Sequence, residues 1–149
     1  MDGAVERARG RVVVGFDGSE PSLAALRWAV DECRAKNEPL TIVSCWHLPA
    51  QPATAYEPMM SPDLFEGDAQ ATVAEAVKEV GETGHGLDIQ TEVLMGLPSR
   101  CLLDLAEGAR LVIVGSRGRG GVAGLFLGSV SQHLAEHAPC PVVIVHAPE

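Results

Sequence analysis

LVIVGSRGRGGVAGLFLGS, residues 111–129, joins an unbroken apolar run to a loop in which six glycines fall between positions 115 and 129. A short run that is apolar at every position marks a strand buried on both faces, as in a parallel sheet covered by helices. Glycine loses more freedom on folding than any other residue, so its concentration here marks a backbone that other residues could not hold. Fold and function both turn on this junction.

Working outward, RVVVGF (11–16) reads likewise as a strand buried on both faces, LTIVSCW (40–46) as a second strand, and the closing PVVIVH (141–146) as a last strand, apolar on both faces and expected at an edge that a partner subunit covers. Asp88 to Met95 alternates, with Ile89, Thr91, Val93 and Met95 set against Gln90 and Glu92, so it is predicted as a half-exposed edge strand. Helices fill the intervals. Ser19 caps one that runs to about Lys36, with Leu23, Leu26, Val30 and Cys33 on one side. Pro62 opens a second to about Glu82, on Leu64, Ala69, Val73, Ala76, Val77 and Val80. Pro98 opens a third, ended by Gly108, and a fourth runs from about Ser129 to His137. Five strands alternating with four helices predict one doubly wound α/β domain: a five-stranded parallel sheet with right-handed crossovers. Residues 1–10 are expected to be a flexible N-terminal tail and 11–149 the domain. The segment from His47 to Ser61 holds Pro49, Pro52 and Pro58, too proline-rich for regular structure and able to close over a cleft or to be a plain surface loop.

Composition narrows the partners. At 46% hydrophobic residues in 149, disorder across most of the chain is excluded, while no apolar run approaches the roughly 18 residues of a membrane span. The start, MDGAVERARGR, lacks an apolar stretch and reads as neither signal peptide nor anchor. Cys33, Cys45, Cys101 and Cys140 are scattered and read as free thiols in a reducing cytoplasm. The net charge is −9, yet residues 108–135 carry Arg110, Arg117 and Arg119 and no acid. A basic segment that coincides with the glycine loop suits a small anionic ligand, whereas the acidic remainder offers no broad basic face to nucleic acid.

Other motifs fail on their own chemistry. Gly115 and Gly120 are followed by Gly121, where a Walker A loop needs lysine. Gly118-Arg119-Gly120-Gly121-Val122-Ala123 fits the dinucleotide fingerprint loosely, but the region near residue 140 has no acid for a ribose. His133-x-x-Glu136-His137 copies an inverted zinc-peptidase motif without a third ligand downstream, and reads as a solvated helix face. No Ser-His-Asp order or nucleophile elbow occurs, and no catalytic residue is assigned.

The spacing Gly115-x2-Gly118-x9-Gly128-Ser129 resembles the ATP-binding motif G-2x-G-9x-G-[S/T] of the universal stress protein family. VVVGFDGSEPS, LTIVSCWHLP, MGLPSRCLLDLA and APCPVVIV are similar to other segments of that family, so the resemblance covers nearly the whole chain. It implies strand order 3-2-1-4-5, a homodimer through Val142 to His146, and an adenine nucleotide as ligand: ATP with Mg²⁺, or cyclic AMP as a known alternative. It places Asp17 at the adenine or ribose, with backbone groups of Gly15 and Cys45. An Asx turn into the helix is the other use of Asp17.

The physical reading of the loop agrees. Gly115 and Ser116 end the strand, with Gly115 letting backbone pass beneath a sugar or base, and Gly118 can turn its N–H inward. Gly128, Ser129, Val130 and Ser131 open a helix whose free N–H groups favour phosphate. The Ser129 hydroxyl either reaches phosphate, beside a phosphate-bound Mg²⁺, or caps the helix; Arg117 and Arg119 either pair with outer phosphates or are solvated. The reading that results is a cytoplasmic, nucleotide-responsive regulator of a stress response, with slow or no hydrolysis. A slow ATPase or phosphotransferase, and a ligand-free interaction module, are the alternatives from other classes.

Overall fold

Val12, Val13 and Val14 have no accessible surface because β1 (Val12–Gly15) is the central strand of the sheet. The computed structural model describes residues 2–48, 62–118 and 127–148. Beside β1 lie β2 (Leu40–Trp46) and β4 (Leu111–Gly115); β3 (Ile89–Met95) and β5 (Val142–Val145) form the edges. The order is β3-β2-β1-β4-β5, every pairing is parallel, and Val12 stands opposite both Leu40 and Leu111.

The pleat divides the core. Val12 and Val14 face a layer built on α2 (Glu20–Lys36) and α3 (Pro62–Val80), with Leu26, Val30, Ala76 and Val80. Val13 faces the opposite layer, where Leu102 and Leu105 of α4 (Pro98–Ala106) meet Leu134 of α5 (Ser129–His137). Local signals set the ends. Ser19 caps α2 by accepting the Ser22 N–H, and Asn37 closes it in the left-handed conformation at φ 54°. Among the described residues no helix is long and apolar enough to cross a membrane.

Three expectations need correction. Residues 2–7 form a helix, α1 (Asp2–Arg7), rather than part of a tail: Ala4 and Ala8 are buried against Leu105, Ala106 and Ala109, and Arg7 pairs with Glu92. Among the described residues there are therefore five α-helices, not four, plus a 3₁₀ turn at Gly81–Gly84. Leu64 and Val77 are exposed, because α3 packs through the narrower stripe Ala69, Val73, Ala76 and Val80.

The amino ends of the strands are held by Arg11, which is buried. Its guanidinium donates to Thr41 Oγ1 at 2.8 Å, to the Leu40 carbonyl at 2.8 Å and to Asp88 Oδ2 at 2.8 Å. Arg11→Met is expected to lower stability by about 2 kcal/mol in urea denaturation, since it strands buried acceptors. The hydrogen bonds and charge of Arg11 hold the Asp88 carboxyl below its ordinary value. The pair therefore contributes fully at neutral pH and is lost as acid carries the solution down through the folded-state pKa. Asp88→Asn should flatten that part of the stability–pH curve; an unchanged slope would refute the pairing.

Candidate functional site

With α2 and α3 on one face and α4 and α5 on the other, the crossovers diverge between β1 and β4. Such a switch point leaves a crevice at the carboxyl ends of the strands. A cleft of ≈ 380 Å³ lies there. Gly15, Asp17, Cys45, Gly115, Arg117, Gly118, Gly128, Ser129, Val130 and Ser131 line it, although they come from four separate stretches of chain.

Asp17 makes the Asx turn: Oδ1 accepts the Ser19 N–H at 2.9 Å and the Ser19 hydroxyl at 2.5 Å. It faces the cleft as well, and its Oδ2 lies 2.7 Å from where a Cβ on Gly118 would stand. The Asx turn is thus present, and the carboxylate borders the cleft as well. The β1–α2 and β4–α5 connections touch at this carboxylate.

The glycines divide by cause. A Cβ on Gly115 would stand 2.6 Å from the Pro21 carbonyl carbon, so that glycine admits the first turn of α2 against β4. Gly115 thus serves the fold, and it borders the cleft as well. Gly118 and Gly128 do border the opening.

Ser116 is buried and is not part of the cleft lining, contrary to expectation. Its carbonyl accepts the Gly128 N–H at 2.6 Å and the Ser131 hydroxyl at 2.7 Å, which closes the loop at its stem. The Ser131 side chain is therefore structural, and only its backbone is available to a ligand. Gly128, not Ser129, is the N-cap of α5. Ser129 is the first residue of the helix and is exposed, leaving its hydroxyl at the rim of the cleft. The first bond inside α5 runs from the Gln132 N–H to the Gly128 carbonyl at 3.0 Å. The N–H groups of residues 129–131 thus have no carbonyl within the helix and form a short row of donors. Arg117 is exposed at the same rim. Arg119 and residues 49–61 lie outside the described residues.

Part of the wall escaped the sequence reading. His47 follows β2, and Leu97, Pro98 and Ser99 make the β3–α4 junction, with Leu102 one turn further on. Leu102 Cδ1 lies 3.0 Å from the Cβ position of Gly15, which packs α4 over the floor. The parallel order itself was the available signal, since it puts every strand's carboxyl end on this side.

Among the described residues no group of three His, Cys, Asp or Glu side chains is placed to hold a metal. The His133 and His137 rings stand 4.7 Å apart, and Glu136 accepts from Gln132 Nε2 at 3.2 Å.

Comparison with known proteins agrees with this architecture. A Mycobacterium tuberculosis universal stress protein, Rv3134c, is 38% identical over 135 residues, covering 91% of this chain and 48% of its own. The chain thus spans about half the length of the curated relatives it matches. A solved universal stress protein in complex with cAMP is 31% identical, with TM-score 0.70, over 95% of this chain and 99% of that one. UspA from Lactobacillus plantarum superposes with TM-score 0.77 at 23% identity, over 93% of this chain and 99% of its own. The model of the universal stress protein family matches residues 8–146, from the end of α1 through β5, and with that span accounted for the chain belongs to this family.

Proposed function

We propose that the protein is a regulator that binds an adenine nucleotide, ATP with Mg²⁺, in the cleft between β1 and β4. The observation that carries the reading is the convergence of Asp17, the Gly118–Gly128 opening and the donor row of α5 on one cavity. Phosphates suit the α5 terminus, where unpaired N–H groups and the helix dipole favour negative charge. Gly15, Asp17 and Cys45 border the part left for the sugar and base. The donor set fits a nucleotide better than a resident metal. Mg²⁺ would ride on the phosphates with its waters, helped at most by the Ser129 hydroxyl. Asp17 is engaged by Ser19, so this reading gives it no role as a base and takes turnover as slow or nil. The half-buried apolar edge of β5 suits pairing with a second copy, and a cytoplasmic setting suits a nucleotide sensor.

Cyclic AMP is the second reading, favoured by the solved relative in complex with cAMP. Thermal unfolding of nucleotide-stripped protein separates the two. A ligand at 100 times its Kd stabilises the native state by about 2.7 kcal/mol. ATP with Mg²⁺ is expected to raise Tm more than cyclic AMP at equal concentration. The reverse order installs cyclic AMP, and unchanged melting with both, and with AMP and NAD, leaves an interaction module without a ligand.

A further inference from the structure

We propose that His133 and His137 form a two-histidine chelate for a borderline divalent transition metal, of the Ni²⁺, Cu²⁺ or Zn²⁺ class, at the carboxyl end of α5. The pair lies outside the cleft, and the nucleotide reading leaves it unused. α5 is fastened through Ser131 and Leu134, which are buried, with Val130 and Ala138 partly buried against the same layer. Positions 133 and 137 lie one helical turn apart on another face, so their side chains meet there. His133 is half-buried and the His137 side chain is 54% exposed, which gives an ion in water a direct approach.

The spacing of the rings carries the assignment. Metal–nitrogen bonds of about 2.0–2.1 Å, at angles between right-angled and tetrahedral, put the centroids of two imidazoles on one ion about 4.5–5.2 Å apart. The His133 and His137 centroids stand 4.7 Å apart. That value falls toward the right-angled end, which suits Ni²⁺ and Cu²⁺ better than tetrahedral Zn²⁺. The rings are tilted by 54°, neither flat-stacked nor edge-to-face, so an aromatic contact does not account for their approach.

Charge acts in the same direction. Glu136 Oε2 lies 3.7 Å from His137 Nε2, and Glu136 Oε1 accepts from Gln132 Nε2 at 3.2 Å. A carboxylate is thus held beside the rings, where it favours a cation. α5 ends at His137, and the Ala138 N–H closes the last bond, to the Leu134 carbonyl. The carbonyls of residues 135–137 lie beyond that bond, and the negative end of the helix dipole favours positive charge there. One short helix thus offers an anion site at its head and a cation site at its tail. Among the described residues no set of three metal-ligating side chains is assembled, so water completes the coordination of the ion. Magnesium takes oxygen ligands and is not the ion this pair selects. The inference stands whether or not a nucleotide occupies the cleft.

The test uses the full chain, without an added histidine tag and with its thiols kept reduced by a phosphine, titrated calorimetrically with Ni²⁺. One ion is expected to bind per chain. His133→Ala and His137→Ala should each keep the parent's circular dichroism. Either change turns a two-point grip into a single contact and should weaken binding by about 100-fold. His47→Ala, His85→Ala and His146→Ala should bind Ni²⁺ like the parent, and a large excess of Mg²⁺ should leave the titration unchanged. Absence of Ni²⁺ binding overturns the proposal, as does binding that survives the loss of both rings. So does binding that is lost in Cys140→Ser or displaced by Mg²⁺, and so does one ion shared between two chains.

Discussion

Gly115→Ala is expected to destabilise the protein by about 3 kcal/mol, and Gly115→Val by more, against a total stability of about 5–15 kcal/mol for a domain of this size. The added Cβ would stand 2.6 Å from the carbonyl carbon, 2.7 Å from Cβ and 2.8 Å from the carbonyl oxygen of Pro21. These are mostly backbone atoms, so no side-chain rotation relieves the clash. Either β4 or the first turn of α2 must shift. The turn is fixed by the Ser19 cap and the Asp17 carboxylate, while β4 is paired on both sides. Movement of α2 would also disturb Ala25, Leu26 and Ala29, which are buried in the core. Urea denaturation measures the loss. A Gly115→Ala protein within about 1 kcal/mol of the parent would contradict this packing argument.

Gly118→Val and Gly128→Val are expected to fold and yet to lose nucleotide affinity by about 100-fold, which is about 2.7 kcal/mol. Among the described residues the new Cβ at Gly118 meets only the Asp17 carboxylate, at 2.7 Å, in an exposed stretch. The fold is spared, but the carboxylate must turn away and the valine methyls enter the opening. At Gly128 the Cβ comes to 3.2 Å from Arg117 Cα and 3.4 Å from the Ser116 carbonyl oxygen. That is tight rather than impossible, and the side chain would shade the donor row of α5. Calorimetric titration with ATP and Mg²⁺, beside circular dichroism of each variant, separates binding from folding. If both variants bind like the parent, the loop does not hold the phosphates.

The contrast among these glycines shows what a sequence can carry. Apolar runs that must be buried on both faces were legible, and so was the order of helices between them, because the pattern is the physical requirement itself. The α1 helix was not legible, since its buried contact with the core is made by Ala4, with Val5 partly buried beside it and Ala8 just beyond the helix, within a polar stretch. Small side chains one turn apart leave little trace in hydropathy. The cleft was legible where spacing records it, from Gly115 to Ser131. Its wall at His47 and Leu97–Ser99 was not, because those residues meet the loop only once the sheet is assembled. Nor does spacing distinguish a glycine that makes room for a ligand from Gly115, which makes room for Pro21.

One oxygen atom, that of the Ser116 carbonyl, receives both the Gly128 amide and the Ser131 hydroxyl. The chain that leaves β4 and the chain that enters α5 are thereby fastened to each other at a single atom. The placement of α5 against β4 then depends little on how many residues join them, since doubling the length of a connection costs only about 0.6 kcal/mol. Descendants of this chain are consequently free to lengthen or rewrite the connection while the anchoring knot stays where it is.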